Sequence, residues 1–382
     1  MNTATLANQT ANMAFAFRGY NTTNLGRSQE LLEHSVYGLI VRQKLQQASS
    51  CCADITGNPV DLVSRVQRQQ ETDLASYDEA VAMIVAMELA QVELLESFFD
   101  ISLAASQLCF GYSLGEIVAL AASGVMSMED ALTVPISLAH DCVALADQVT
   151  LGILLSRGAP LSVEDVTKGC LHINAEGQGV VGPSAYLSPN SMLLMGQHDS
   201  LDRLQAWLKE HHPGLTSLRK NKQQWPPLHT PIMWERQIPD RAAHLMHTLS
   251  GGFSAPQPKI LSLVTGTASY NGNNTRQLLR QWIDHPQRLW DVVYEALSTG
   301  IETIIHVGPK PNIIPSTFQR LQDNVESQTE NSIGMRALSA AVSRPWLQSI
   351  LPERLGLLRA PLVEHIILED WLLDHADQAS EK

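Results

Sequence analysis

Basic residues are scarce in this chain of 382 residues, and their scarcity narrows the possible functions. There are 26 lysines and arginines against 39 acidic residues, which gives a formal net charge of −13 at pH 7. Nucleic acid and anionic membrane surfaces both bind to a concentrated basic face, so neither is expected as the main partner. The sequence has no uncharged apolar run of the length that spans a bilayer, and its polar N-terminus does not resemble a signal peptide. We therefore expect a cytoplasmic protein.

Cysteine is scarce as well. The chain has 5 cysteines, an odd number at irregular spacing, and no two of them form a C-x-x-C pair. This pattern predicts reduced, packed thiols and no disulfide framework, and it provides no zinc site or other metal centre. Hydrophobic residues make up 44% of the chain, enough for a large core, and the length suggests about two folding units.

The most informative stretch is Phe110-Gly111-Tyr112-Ser113-Leu114-Gly115-Glu116. A short apolar run precedes it, and apolar residues at helical spacing follow it. Ser113 is therefore predicted to lie in a sharp strand-to-helix turn. Gly111 and Gly115 leave room for that turn. A serine at the N-terminus of a helix lies where backbone N–H groups stabilise negative charge on a substrate oxygen. Because so short a motif also arises by chance, its surroundings decide its weight.

The pattern around this motif predicts an α/β fold. Residues 14–17 form a short apolar segment of strand character, and a glycine-containing loop, residues 18–26, follows it. Residues 76–99 have the apolar spacing of a long helix that ends before the elbow strand. This order of elements is typical of a mainly parallel sheet. The early loop could supply backbone N–H groups to the nucleophile or be an ordinary connection between strand and helix.

Residues 150–219 have a different texture, with short strands separated by two helical segments. The order β-α-β-β-α-β is the signature of a ferredoxin-like unit. We therefore predict a hydrolase-like parallel-sheet domain with an inserted ferredoxin-like subdomain. The expected divisions are residues 1–149, the subdomain at 150–219, and residues 220–382 as the second part of the large domain with C-terminal helices.

Four motifs in order resemble one known family. The elbow motif is followed by Ser188-Pro189, by Leu228-His229-Thr230-Pro231-Ile232-Met233, and by His306-Val307-Gly308-Pro309. Together they resemble the malonyl-CoA:acyl-carrier-protein transacylases, which include the acyltransferase domains of polyketide and fatty-acid synthases. The resemblance implies the fold predicted above and a ping-pong transfer from a CoA thioester to the phosphopantetheine thiol of an acyl carrier protein. It implies no permanently bound cofactor.

The resemblance also implies roles for individual residues. Ser113 would be the nucleophile and His229 its general base, although a histidine between prolines can also be a plain loop residue. The backbone carbonyl that orients the histidine in this family matches Gln281. The backbone N–H groups of Tyr20 and Leu114 would form the oxyanion hole.

An ordinary α/β-hydrolase offers a different way to orient the histidine. It would place an acid between the serine and the histidine in the chain. Asp165, Asp199 and Asp202 occupy that interval, and a plain surface role is open to all three.

Departures from the family pattern concern the acyl group. Malonyl-selective members have an arginine 25 positions after the nucleophile, and here that residue is Leu138. The four residues ending in the histidine, Pro226-Pro227-Leu228-His229, match neither the malonyl nor the methylmalonyl signature. We therefore expect a neutral acyl group beside Leu138. If malonyl were used, Arg18 would be the candidate cation.

One basic cluster stands out in this acidic chain. Arg219, Lys220 and Lys222 precede the histidine motif and are candidates for binding the CoA phosphates or an acidic carrier protein. A solvated turn would give the same cluster.

Three functions compete at this point. The first is an acyltransferase that loads a carrier protein supplied by another chain. The second is an acyl-thioester hydrolase on the same scaffold, and the third is a non-catalytic docking subunit. The presence of both Ser113 and His229 favours the first two.

Overall fold

The computed structural model of the protein describes residues 3–156, 158–212, 217–330 and 345–379. Within them the strands form two sheets, one of five strands and one of four. In chain order the strands are β1 (Met13–Phe17), β2 (Leu108–Gly111), β3 (Val149–Leu155), β4 (Val181–Ser188), β5 (Ser191–Gln197), β6 (Ser217–Lys220), β7 (Lys259–Leu261), β8 (Thr303–Val307) and β9 (Glu364–Ile367).

Helices surround both sheets. In the described part of the chain the α-helices are α1 (Thr3–Asn8), α2 (Ser28–Glu33), α3 (Gly38–Thr56), α4 (Leu62–Gln67), α5 (Tyr77–Phe99), α6 (Leu114–Ala122), α7 (Met128–Ser137), α8 (Ala139–Ala146), α9 (Val163–Ala175), α10 (Ser200–His211), α11 (Ile238–Met246), α12 (Thr275–Asp284), α13 (Leu289–Ser298), α14 (Ile313–Glu330), α15 (Pro345–Ile350), α16 (Leu368–Asp374) and α17 (Ala376–Ala379). Short 3-10 helices are Thr10–Asn12, Leu74–Ser76, Leu103–Ala105, Pro231–Arg236 and Leu355–Leu362.

The five-stranded sheet is parallel throughout, in the order β7-β2-β1-β8-β9. Every residue of β1 is buried, as expected for a central strand covered by helices on both faces. Phe15 and Phe17 pack in the core that contains α5 and α6, whereas Ala14 and Ala16 face the core that contains α13 and α14. Because the strands are parallel, the segments that follow β1, β2 and β8 emerge at the same edge of the sheet. The turn that contains Ser113 lies at that edge.

The four-stranded sheet is antiparallel, in the order β4-β5-β3-β6. One face packs against α9 and α10 through a core of its own. The other face carries Leu151, Ile153, Leu193 and Met195, which line the cavity above the large sheet. With its β-α-β-β-α-β order this sheet is ferredoxin-like, and the predicted fold class is confirmed.

The expectation of C-terminal helices is only partly correct. Residues 331–344 and 380–382 lie outside the described residues. Beyond them, β9 joins the edge of the large sheet beside β8, with Ile304 opposite His365 and Ile305 opposite Ile366. Four residues are too few for a strand pattern to be recognised without the neighbouring strand. In the described residues no helix has the length and apolar character to cross a bilayer.

Candidate active site

The elbow is built by close backbone packing that only glycine permits. A Cβ at Gly111 would lie 2.1 Å from the carbonyl carbon and oxygen of Gly115. A Cβ at Gly115 would lie 2.3 Å from the carbonyl oxygen of Phe17, and one at Gly19 would lie 2.5 Å from that of Tyr112. The two glycines of the motif therefore let α6 descend onto the ends of β1 and β2. Gly19 lets the following loop pack against the elbow.

Ser113 has φ 54° and ψ −117°, the strained conformation of a nucleophile elbow. Its hydroxyl lies 2.7 Å from Nε2 of His229, so the structure brings together two residues that are 116 positions apart. His229 also has a positive φ, of 66°. Its N–H donates to the carbonyl of Ile283 at 2.7 Å, and this bond holds the ring above the elbow.

The orienting carbonyl belongs to Trp282, and the prediction of Gln281 is wrong by one position. Nδ1 of His229 lies 2.6 Å from the Trp282 carbonyl oxygen. The Gln281 carbonyl instead accepts the N–H of His285 in the last turn of α12, at 2.9 Å. The Trp282 indole N–H in turn donates to the carbonyl of Ser113 at 2.9 Å. Trp282 thus contacts both Ser113 and His229.

The tautomer of His229 follows from these contacts. Since a carbonyl can only accept, Nδ1 carries the proton and Nε2 keeps its lone pair for the Ser113 hydroxyl. Burial lowers the pKa of His229 to about 4, and the bond to the Trp282 carbonyl offsets this only in part. The imidazole is therefore neutral at pH 7, the state that a general base requires.

None of the three acids considered from sequence is near His229. Asp165 lies on α9, and Asp199 and Asp202 form ion pairs with basic side chains of the small subdomain. These contacts agree with a surface role. The structure therefore favours orientation of the histidine by a carbonyl.

Sequence reasoning missed Gln287, which is fully buried beside Ser113 and His229. Its Oε1 accepts the N–H of Ser113 at 3.0 Å, and its Nε2 lies 3.3 Å from Nδ1 of His229. It lies just beyond α12, and no motif marks it. Only the fold brings it to the elbow.

The backbone N–H groups predicted to bind an oxyanion lie at the same edge of the large sheet as Ser113. Leu114 is the first residue of α6, and Tyr20 follows the close contact of Gly19 with the elbow. No acceptor for either backbone N–H is found among the described residues. The Tyr20 ring packs edge-on against Tyr77 and Trp225 in the wall of the cavity. This arrangement leaves both N–H groups free to bind a substrate oxygen.

A cavity of about 400 Å³ lies beside Ser113 and His229, between the two sheets. Its walls are mainly apolar, and they include the following side chains of the small sheet and the loops around it: Leu151, Ile153, Leu187, Leu193, Met195, Trp225 and Leu228. On the opposite side it is bordered by the first turns of α14 and by Arg320.

Arg18 borders the cavity, but its guanidinium is not free to meet a substrate carboxylate. Its N–H groups donate to the backbone carbonyls of Gly19, Thr23 and Pro309 and to Oδ1 of Asn24. Together these bonds use all five donors. The side chain is only 3% exposed. Arg18 therefore anchors the loop after β1, and its prediction as the carboxylate-binding cation is wrong.

Leu138 does not line the cavity, so this prediction is wrong as well. It lies at the junction of α7 and α8, is 3% exposed, and packs in the main hydrophobic core. Pro135 lies within α7, which ends two residues later at Ser137. Tyr77 of α5 lines the cavity, whereas Leu138 and Pro135 do not. The cation expected in malonyl-selective relatives is therefore not restored by a neighbour of Leu138.

The basic cluster is divided between two faces of the small sheet. Arg219 pairs with Ile153 across β6 and β3, so its side chain lies on the face that borders the cavity. Lys220 points to the opposite face, where it forms an ion pair with Asp202 at 2.5 Å. Lys222 is exposed in the loop that follows. Of these three residues, Arg219 is the one paired across the sheet with a residue of the cavity wall, Ile153.

Comparison with known proteins agrees with this geometry. The malonyl-CoA:acyl carrier protein transacylase of Xanthomonas oryzae has 24% identity and a TM-score of 0.64, over 81% of this chain and 91% of that one. The acyl carrier protein S-malonyltransferase of Vibrio cholerae has 22% identity and a TM-score of 0.65, over 80% and 93%. This chain has the malonyl-CoA:acyl-carrier-protein transacylase fold. The resemblance inferred from the four motifs is confirmed.

A transacylase of the same fold, PlMCAT, has been solved in complex with AntF, a type II polyketide synthase acyl-carrier protein. It has 19% identity and a TM-score of 0.62, over 81% of this chain and 92% of that one. Curated sequences similar to this chain are polyketide synthases. The 6-methylsalicylic acid synthase of Arthrobotrys oligospora is 24% identical over 79% of this chain, and polyketide synthase GfsB of Streptomyces halstedii is 24% identical over 75%. The chain spans only 16% and 5% of their lengths. No protein-family model matches it.

Proposed function

We propose that this chain is an acyltransferase that moves an acyl group from a CoA thioester, through an ester on Ser113, to the phosphopantetheine thiol of an acyl carrier protein in polyketide or fatty-acid synthesis. The observation that carries this proposal is the 2.7 Å contact between Ser113 and a buried, neutral His229 whose Nδ1 faces a carbonyl. The apolar cavity beside the pair supports an acyl substrate. The contact of PlMCAT with its carrier protein supports the same class of partner.

The first half of the reaction acylates Ser113. The hydroxyl attacks the thioester carbonyl while its proton moves to Nε2 of His229. The backbone N–H groups of Leu114 and Tyr20 bind the oxyanion. When the tetrahedral intermediate collapses, the C–S bond breaks and the CoA sulfur takes the proton from His229.

The second half reverses these steps with a different thiol. The phosphopantetheine thiol gives its proton to His229, and its sulfur attacks the ester carbonyl on Ser113. The C–O bond breaks, Ser113 recovers the proton, and the acyl group leaves on the carrier. Throughout, the Trp282 carbonyl accepts a hydrogen bond from the Nδ1–H group of His229 and stabilises the imidazolium that forms transiently.

We propose that the acyl group is neutral. A buried carboxylate without a cationic partner carries a desolvation penalty of several kcal/mol. The Arg18 donors are used by the protein, and the rest of the wall near the small sheet is mainly apolar and carries no charged side chain. Arg320 borders the cavity, and Arg219 is paired across the small sheet with Ile153 of the cavity wall; neither forms an ion pair with the described residues. They are placed to bind the phosphates of CoA or of the carrier arm.

Intact-mass analysis tests the proposal. The protein is mixed with acetyl-, butyryl- and malonyl-CoA, with and without a phosphopantetheinylated carrier protein, and Ser113→Ala serves as the control. We expect acetyl and butyryl adducts on the unmodified protein, transfer to the carrier, and no adduct on Ser113→Ala. Release of free acid faster than transfer to any carrier would favour the hydrolase. Fast, selective malonylation would refute the neutral pocket and would point to Arg320.

A further inference from the structure

Gln287 joins three parts of the active site through one residue. Its side chain contacts Ser113 and His229 as described above, and it has no solvent exposure. Its main chain belongs to a parallel bridge with Ala185 of β4. In this bridge Gln287 donates to the Ser184 carbonyl and accepts from the N–H of Tyr186, both at 2.8 Å. The small sheet is thus hydrogen-bonded to the residue that holds the nucleophile.

The orientation of the Gln287 amide is fixed by its neighbours. A backbone N–H can only donate, so the atom facing Ser113 is the carbonyl oxygen Oε1. The NH₂ group must then lie toward His229. At 3.3 Å it is farther from Nδ1 than the Trp282 carbonyl is at 2.6 Å. The Nδ1 proton therefore points to Trp282, and the amide does not reverse the tautomer.

We propose that Gln287 is a positioning residue for the acyl transfer, which holds the Ser113 backbone against His229 and couples that alignment to the small sheet. This inference rests on the proposed function. A neutral amide can accept the Ser113 N–H without placing a negative charge beside the imidazole. The Ser184 hydroxyl strengthens the coupling, because it donates to the carbonyl of Leu228, next to His229, at 3.2 Å.

Ionisable groups on the elements around Ser113 and His229 are engaged elsewhere. On α6, Glu116 accepts from Ser262 and Tyr270, and on β8, His306 contacts His365. At the end of α12, Asp284 bonds to the Trp234 indole and to His285. Arg288, next to Gln287, pairs with Asp291. In the loop after β1, all the N–H groups of the Arg18 guanidinium already donate to protein acceptors, and burial raises the pKa of Tyr20 to about 12. A carboxylate introduced at position 287 would therefore be the charged group that acts directly on His229.

Two substitutions separate positioning from simple support of the fold. Gln287→Met keeps the length of the side chain and leaves the Ser113 N–H without an acceptor. Gln287→Glu keeps the acceptor and adds a negative charge near Nδ1, which favours the imidazolium. The matched control is Asn174→Asp, because Asn174 also accepts a backbone N–H, that of Val181, but lies on α9 beyond the opposite face of the small sheet.

The assay is single-turnover acylation of Ser113 by butyryl-CoA, followed by intact mass from pH 4 to 9. We expect Gln287→Met to lower the rate constant about 10- to 100-fold with little change in the half-saturating thioester concentration, the pattern of lost alignment. We expect Gln287→Glu to move the acidic limb of the profile upward by about one pH unit or more. Asn174→Asp should keep the profile of the unmodified protein.

A second probe keeps this inference separable from the proposed function. A fluorophosphonate phosphonylates a serine activated by histidine and needs no acyl-CoA site. If no thioester acylates the protein, the proposed function fails, and the same three variants are compared by the rate of phosphonylation. Our inference is overturned if the acidic limb of Gln287→Glu coincides with that of the unmodified protein. It is equally overturned if Gln287→Met reacts at the unmodified rate.

Discussion

Gly115→Ala gives a direct test of how the elbow is built. In the structure a Cβ at this position would lie 2.3 Å from the Phe17 carbonyl oxygen and 2.5 Å from that of Arg18. Ordinary van der Waals contact begins at 3.4 Å, so α6 and the end of β1 must separate by about 1 Å. Both contacts are with backbone, which cannot move aside as a flexible side chain would.

The separation acts on the two groups that are proposed to bind the oxyanion. Leu114 precedes the substituted residue on α6, and Tyr20 follows Arg18 in the displaced loop. Loss of one donor to an oxyanion typically lowers kcat by about 10²- to 10³-fold. A shift of about 1 Å in a catalytic group has an effect of about 10²-fold. We therefore expect the acylation rate of Gly115→Ala to fall by about 10²- to 10³-fold.

The control is Gly158→Ala, since no atom lies within 4 Å of a Cβ at Gly158. Both variants are first compared by thermal unfolding, and then by single-turnover acylation with a saturating acyl-CoA. Gly158→Ala should match the unmodified protein in rate. If a folded Gly115→Ala acylates within about threefold of the unmodified rate, the close approach of α6 to β1 does not align the oxyanion groups, and our account of the elbow is wrong.

Two further predictions concern charge. Because burial lowers the pKa of His229 to about 4, its neutral fraction and the acylation rate should stay constant from about pH 5 to 8 and fall as the pH drops through 4. An acidic limb centred near pH 6.5 would contradict the burial argument. His229→Ala should lower the acylation rate by about 10²- to 10⁴-fold. Arg219→Glu should raise the KM for CoA or carrier thioesters most strongly at low salt, whereas Lys220→Glu should have a smaller effect because Lys220 already pairs with Asp202; equal effects would argue for a diffuse field.

The sequence predicted the elements whose signals are local. Ser113 lies between two glycines that the turn requires, and the apolar runs around it have the spacing of a strand and a helix. The small subdomain was recognised from the order of its strands and helices, although β6 carries only four residues. These features depend on neighbours in the chain, and pattern reasoning can detect them.

The errors concern contacts between distant segments. Gln281 and Trp282 are adjacent on α12, and only the end of that helix decides which carbonyl remains free for His229. The prediction of Leu138 rests only on its distance along the chain from Ser113, but at the junction of α7 and α8 its side chain packs in the core. Gln287 gives no sequence signal, because an isolated glutamine in a turn is usually a surface residue. Its role depends on the meeting of β2, β4 and α12.

The two sheets contribute different parts of the site, and this separation affects selectivity among acyl groups. The proposed nucleophile and oxyanion groups lie on segments that follow β1 and β2, whereas much of the apolar wall comes from β3 and β5 of the small sheet. Substitutions of Ile153 or Leu193 can therefore change the size of the acyl group that the cavity accepts, without moving Ser113 or His229. Their effects should appear mainly in the comparison of acyl chains. Gln287 is the exception, because its main chain belongs to the small sheet and its side chain to the catalytic pair. An acyl group that displaces β4 should therefore change the reactivity of Ser113 as well as the affinity.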